Sequence, residues 1–545
     1  MIIIGSRAAA LADIPEMRIT TKNNASPQSY QPDPGCGNNR GGGWGGGWGW
    51  GGGMGMGMGM GPYKLPYVAV TGFEIKDASN PQYNLTRNLK NDFIKVRGNS
   101  TSQTAKKPYR IQFGEKTSLF GREAAKSWVL LANFYDGTFA LNAIAFELGR
   151  RLGLEFTPTY QFVNLYINNK YMGIYQLTEQ IQSNKGRVAI NEKDGGWLVE
   201  FDYHEPTSDN CLKRFVPGRY DLTANIKAPD LDDFKNPKDS TQLNFVKNDI
   251  MALINKMAAG GFPENGYHDL IDLESFAKYM LIQLFMDNFD FNSKAQSGAL
   301  LGSNFMYKID KTSKIKAGPL WDLDLSAGVT MSNFPKHYQT YKEPITPTHA
   351  FYKRLWQDPA FKAEYKKTWD KYKSDFQDMI EFIDNISAAL SDSIQAKGAN
   401  ITMDAGALTL RQFTNEISKL KTWWTNRLKW VDQNSKLKDI DTTRNIIKVQ
   451  ITPAAPLLRE AVNASEFSAR RRELPSRDRI RQTRPLTPFH YLDPVRLTAE
   501  YCAQNRALLT VSKGSAPVQR WFWYKNYPNI HTRHQSYRFS FLFQS

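Results

Sequence analysis

The sequence predicts an α+β fold, with strands gathered in its first half and helices in its second. Three observations point there. Apolar residues alternate along segments between Tyr67 and Phe113 and again from Gln161 to Ile181, the two-residue period of half-buried strands. Heptad-like apolar spacing, with lysines on the outer faces, runs from Phe351 to Leu390 and from Ala407 to Gln433, as in a packed helical lobe. Low-complexity sequence precedes this core, and an arginine- and proline-rich stretch follows it.

A chain of 545 residues is too long for one ordinary core, and about two to four structural units are expected. Its formal charge of +17 favours acidic partners such as phosphate-bearing ligands, nucleic acid or anionic surfaces. No basic cluster interleaved with aromatics marks a groove in the central region, so a phosphate ligand is expected and nucleic acid is not. Cys36, Cys211 and Cys502 lie far apart, which supports neither a zinc site nor a disulfide scaffold. Nothing approaches the run of about 20 apolar residues that spans a bilayer. The opening MIIIGSRAAALA reads at best as a poor or truncated signal peptide.

Residues 1–63 are expected to be a disordered segment, because Asn23 to Gly61 is dominated by glycine with interspersed Trp and Met and glycine is the costliest residue to order. A folded domain is expected over 64–445. Its first strands are YVAVTGFEI, NDFIKVRG and KPYRIQF, and the loop between the last two, Arg97 to Lys107, is rich in small donors and ends in two lysines. Such a loop can cradle phosphates, although an ordinary solvated loop has the same composition. TFALNAIAFELGRRLG then places Phe139, Ile144, Leu148 and Leu152 on one helical face, with Glu147 mid-helix and Arg150 and Arg151 near its C-terminal end.

QFVNLYINNKYMGIYQLTEQI reads as a hairpin turning at Asn168-Asn169, and GGWLVEFDY as a further strand. The helical LESFAKYMLIQLFM leads into the acidic cluster Asp287-Asn288-Phe289-Asp290. After a strand, SNFMYKI, comes a second acidic stretch, Gly318-Pro319-Leu320-Trp321-Asp322-Leu323-Asp324. On an extended strand Asp322 and Asp324 would share one face, open to a hard cation, with Trp321, Leu323 and Leu325 turned into a core. Simple solvation of both carboxylates is the plainer reading of that pair alone. Residues 446–545 are expected to form a poorly ordered tail.

A basic loop, a helix glutamate and two acidic clusters are the parts of a phosphoryl-transfer site. The usual kinase wording, H-R-D, D-F-G and A-P-E, is absent. The ordered segments Arg97-Gly98-Asn99-Ser100-Thr101, Lys107-Pro108-Tyr109-Arg110-Ile111, Lys126-Ser127-Trp128-Val129-Leu130-Leu131-Ala132-Asn133, Gly173-Ile174-Tyr175 with Thr178-Glu179-Gln180, and Gly318 to Asp324 resemble the successive signatures of the CotH kinase family. These are spore coat protein H-like atypical kinases. The likeness runs from about Leu65 to Gln433.

The resemblance implies a two-lobed atypical protein kinase-like fold, strand-rich first and helical second. It also implies ATP and Mg²⁺ as cofactors, and Ser/Thr-rich secreted or surface proteins as substrates. Asp322 matches the family's metal-binding aspartate, with Asp324 and Asn304 as further ligand candidates. Asp290 best matches the family's catalytic aspartate. Asp287 is the runner-up, since Asn292 lies five residues beyond it. Lys107 and Arg110, of which one or both face the site, are the phosphate candidates, with Arg97, Asn99 and Ser100 from the loop. Glu147 either pairs with such a cation or lies on the surface, and Glu179 either marks an adenine contact or forms a structural salt bridge. Three activities fit these parts: a protein kinase, a catalytically lapsed kinase-like surface-binding protein, and a nucleotidyl transferase using the same metal site. Export or surface location is implied by the family alone.

Overall fold

A computed structural model describes residues 14–27, 31–32, 63–64 and, apart from 65, 88, 90, 99, 203–211, 237, 293–300, 329–340, 398–407, 435–436 and 438–439, the chain from 63 to 440. Beyond that it describes 448–453, 490–491, 507–513 and 516–521. Two compact units divide at residue 440.

In the first unit the leading strands are β1 (Glu16–Thr21), β2 (Val68–Lys76), β3 (Phe93–Val96), β4 (Tyr109–Thr117), β5 (Ala125–Leu131), β6 (Tyr160–Ile167) and β7 (Lys170–Glu179). They lie in the order β1-β6-β7-β5-β4-β3-β2, and β1 pairs with β2 as well as β6, so the sheet closes on itself. Closure removes the free edges of an open sheet. Ile94, Val96, Ile111, Trp128 and Leu130 fill one apolar cluster built from these strands. Val129 and Leu131 of the same β5 join a second cluster with the helices. A strand buried on both faces reads as a continuous apolar run, which explains Trp128-Val129-Leu130-Leu131. At the β6–β7 hairpin Asn168 and Asn169 have φ of 52° and 61°, the left-handed pair that a tight primed turn requires.

Residues 14–27 correct the expectation of a disordered first segment. Met17 and Ile19 of β1 are at most 1% exposed, and the Thr21 N–H donates to Asn168 Oδ1 at 2.8 Å. Strands β1 and β2 are thus neighbours in the sheet, with the glycine-rich sequence between them in the chain. At its base Gln31–Pro32 pairs with Tyr63–Lys64; residues 33–62 lie outside the described residues.

Helix α1 (Leu141–Arg151) follows β5. The second part contains β8 (Trp197–Phe201), β9 (Ala224–Ala228), α2 (Asn244–Ala258), α3 (Leu273–Phe285), β10 (Asn304–Lys308), α4 (Ala350–Leu355), α5 (Pro359–Lys397) and α6 (Leu410–Asn434). Strands β9, β8 and β10 form the middle of a small antiparallel sheet edged by Arg214–Phe215 and Lys316–Ala317. Every residue of α3 from Phe276 to Phe285 is buried, so beyond its first turn it is a core helix. Helix α5, 39 residues long and hence about 58 Å, fastens the two parts together. Ser393 donates to Asn164 of β6 at 2.7 Å, Lys397 bonds Glu16 of β1 at 2.9 Å, and Asp378 takes Arg151 of α1 at 3.0 Å.

His349 caps α4, its Nδ1 accepting the Phe351 N–H at 3.3 Å, while Nε2 is buried without a hydrogen-bond partner. Burial holds its pKa down at about 4 against an ordinary 6.5. The folded state thus binds fewer protons than the unfolded state between those values. The stability this contributes is complete above pH 6.5 and is lost as pH falls toward 4, by about 3 kcal/mol. Urea unfolding across that range is expected to show the slope, and His349→Asn, which keeps a capping acceptor, is expected to flatten it.

In the second unit β11 (Lys448–Pro453), β12 (His490–Tyr491), β13 (Ala507–Lys513) and β14 (Ala516–Trp521) form an antiparallel sheet in the order β12-β11-β13-β14. The remainder of the expected tail lies outside the described residues.

Candidate active site

Backbone hydrogen bonds bring the two acidic segments together. Helix α3 ends at Phe285, and a one-turn helix, Phe289–Asn292, carries Asp290. The Phe289 N–H donates to Leu325 O at 2.9 Å, and the Ala327 N–H donates to Met286 O at 2.6 Å. The turn after α3 and the end of the second acidic stretch are thereby stitched side by side. The Gly302 N–H donates to Asp290 O at 3.0 Å.

The second stretch is not the extended strand its alternation suggested. The short strand before it ends at Ala317, Gly318 has a φ of 114° that only glycine adopts readily, and Asp322 is left-handed at 61°. Trp321, Leu323 and Leu325 are nevertheless buried. Asp322 is half-buried and Asp324 only 7% exposed. Helix α1 packs against the stretch through Gly149, where a Cβ would come within 2.9 Å of Leu320 Cδ1 and 2.7 Å of Thr157 Oγ1. Ser303 Oγ donates to Asp322 Oδ2 at 3.2 Å, and its N–H reaches Asp202 Oδ2 at 3.4 Å.

Burial, and then the charges of Asp322, Asp290 and Asp136, push the Asp324 carboxyl well above the usual carboxylate range. Asp290, Asp322 and Asp324 therefore lie within electrostatic reach of one another. Asp136 was not picked out from the sequence. Fully buried, it accepts hydrogen bonds from the Thr138 N–H and Leu141 N–H, both at 2.8 Å. Burial raises its pKa to about 6. Its signal in the sequence was an Asp-x-Thr just ahead of a helix, the pattern of a capping residue.

Arg97 faces these acids, its guanidinium 5.3 Å from the centre of the Trp321 ring. Burial lowers its pKa, and Asp322, Glu200 and Asp324 oppose that fall while Arg110 reinforces it. Arg110 donates to Ser127 Oγ at 2.9 Å and leaves its buried Nε without a hydrogen-bond partner. Arg97 is thus within electrostatic reach of Asp322, Asp324 and Arg110.

Other expected residues are engaged elsewhere. Lys107 Nζ bonds Ser102 O at 2.8 Å and Thr104 O at 3.1 Å, which holds its own loop closed. Its neighbour Lys106 is buried, bonds Ala132 O at 2.9 Å and Ile174 O at 2.5 Å, and sits over the rings of Phe139 and Tyr175. Glu147 pairs with Arg150 and Arg151 one turn along α1, as i,i+3 and i,i+4 spacing allows, rather than with a phosphate-binding cation. Glu179 accepts the Thr159 N–H at 2.8 Å and its hydroxyl at 2.7 Å, with Arg122 at 3.6 Å, so its carboxylate is structural. Asn304 is 1% exposed, donates to the Tyr279 hydroxyl at 3.1 Å and accepts from that of Tyr352 at 2.8 Å. A buried amide engaged in this way is not a metal ligand. Asp287 is felt by Arg427. Asn99 lies outside the described residues, and Ser100 opens the short helical turn Ser100–Gln103.

The Asn304 correction carries its own expectation. Asn304→Ala leaves two buried tyrosine hydroxyls without their shared partner and is expected to cost about 2–3 kcal/mol in denaturant unfolding. The metal affinity of the folded fraction is expected to stay at the parent value.

Among the described residues no group of three or more His, Cys, Asp or Glu is arranged to enclose a metal ion. Magnesium needs no such cage, since it takes one or two carboxylates and completes its shell with water and phosphate. Asp324, buried and pressed by neighbouring negative charge, fits that role, because a divalent cation relieves this repulsion.

Barrel, helical part and small second sheet together make an α+β protein with an acidic cluster where two of its segments meet. The family model described as "CotH kinase protein" matches residues 94–431, more than half of the 545-residue chain. The chain belongs to the CotH kinase family. No curated protein matches it. No described helix is long and apolar enough to cross a membrane.

Proposed function

We propose that the protein is a Mg²⁺- and ATP-dependent protein kinase acting on Ser or Thr of exported or surface proteins. The observation that supports this most is the meeting of the segment that carries Asp290 with the one that carries Asp322 and Asp324, within electrostatic reach of Arg97. Asp322 and Asp324 hold the metal, which when bound neutralises phosphate charge. Arg97 and Arg110 bind phosphate oxygens and add to that neutralisation. Asp290 orients the acceptor hydroxyl and takes its proton.

Incubation with ATP, Mg²⁺ and a Ser/Thr-rich peptide, read by mass, is expected to show phosphoryl addition. A folded protein that modifies neither the peptide nor itself overturns the reading. An adduct with the mass of AMP reassigns the site to nucleotidyl transfer.

A further inference from the structure

Asn142, in the first turn of α1, accepts the Leu323 N–H on its Oδ1 at 2.8 Å. That N–H lies between the two carboxylate-bearing residues of the acidic stretch. The Asn142 side-chain amide donates in turn to Asn133 Oδ1 at 3.2 Å, and Asn133 donates to Gln176 Oε1 of β7 at 3.0 Å. All three amides are at most 2% exposed. A relay of buried side chains therefore runs from a barrel strand to one peptide group of the site.

Apolar contacts already hold the stretch against α1. Leu320 lies on Gly149, and the Trp321 ring stacks on Phe146 at 6.4 Å and 23°. Burying three amides adds desolvation cost that well-packed apolar side chains would avoid. What the amides add is direction. With Asp322 left-handed, the orientation of the following peptide sets how the Asp322 and Asp324 side chains diverge, and the Leu323 N–H is the group that Asn142 fixes.

We propose that Asn142, braced by Asn133 and Gln176, is a positioning residue that aims the Asp322 and Asp324 carboxylates at a shared divalent cation. The metal part of this proposal rests on the function proposed above; the positioning part does not.

Two readouts on the full chain test it. Hydrogen exchange of the peptide covering residues 320–325 in Asn142→Leu is expected to quicken relative to parent, with α3 unchanged. Mn²⁺ titration in the presence of ATP, followed by electron paramagnetic resonance, is expected to show a metal affinity about 10–100-fold weaker, with full occupancy regained at high Mn²⁺. Should Asn142→Leu fail to fold, Asn133→Ser removes the brace and leaves the acceptor, and is expected to show both effects in weaker form. Parent-like exchange at 320–325 in Asn142→Leu, or in Asn133→Ser where it replaces that variant, overturns the proposal. So does faster exchange with unchanged Mn²⁺ affinity. A parent protein that binds no Mn²⁺ with ATP overturns the proposed function and the metal part of this proposal together, and exchange alone then decides whether Asn142 fixes the stretch.

Discussion

Asp322→Asn is expected to lower phosphoryl transfer by about 10²–10³-fold while leaving the protein folded. Asparagine is the informative replacement because Asp322 has a φ of 61°, a conformation that Asn adopts readily. Alanine there adds about 1 kcal/mol or more of backbone strain and mixes folding with chemistry. Asn also keeps an oxygen for the Ser303 hydroxyl now bonded to Asp322 Oδ2. Only the negative charge is lost, and with it the attraction for a divalent cation. The measurement is the transfer rate beside the unfolding midpoint. An unchanged midpoint with a collapsed rate is expected, and an unchanged rate removes Asp322 from the machinery.

Arg427→Leu is expected to destabilise the fold by about 3–5 kcal/mol in urea unfolding. The guanidinium is fully buried and donates to four backbone carbonyls. Two are Phe285 O at 2.9 Å and Leu284 O at 2.6 Å, at the end of α3; the others are Tyr341 O at 2.9 Å and Glu343 O at 2.5 Å. Leucine fills part of the volume but removes all four donors, and carbonyls with no other partner then bear a desolvation cost. Burial lowers the Arg427 pKa to about 10, and the charge of Asp287 opposes the shift. Arg427→Lys is expected to recover little, because a point ammonium cannot reproduce the planar fork. Since α3 ends just before Asp287 and Asp290, the folded fraction of Arg427→Leu is also expected to transfer phosphoryl groups more slowly.

Periodicity made the larger elements legible. Alternation revealed β2, β3 and β4, the paired asparagines revealed the β6–β7 hairpin, and apolar spacing revealed α1, α3, α5 and α6. It did not reveal β1, because six residues beside low-complexity sequence carry too little pattern, and their burial comes from closing the barrel. Helix α2 buries only Val246, Ile250, Leu253, Ile254 and Met257, a weaker apolar signal than that of the neighbouring α3. The left-handed Asp322 was invisible for a physical reason. Alternation at Trp321, Leu323 and Leu325 records which side chains are buried and says nothing of the φ between them. Glu147 carried its own warning, with arginines three and four residues ahead on the same helical face. Asn304, Asn142 and Arg427 owe their places to partners distant in sequence, which no local pattern encodes.

Electron paramagnetic resonance of Mn²⁺ titrated with ATP into parent protein and Asp322→Asn reads the acidic cluster most directly. One tightly held, ATP-dependent Mn²⁺ in the parent that is lost in Asp322→Asn is the predicted result. Equal binding by the two proteins, or none by a folded parent, would contradict a metal–nucleotide site at Asp322 and Asp324.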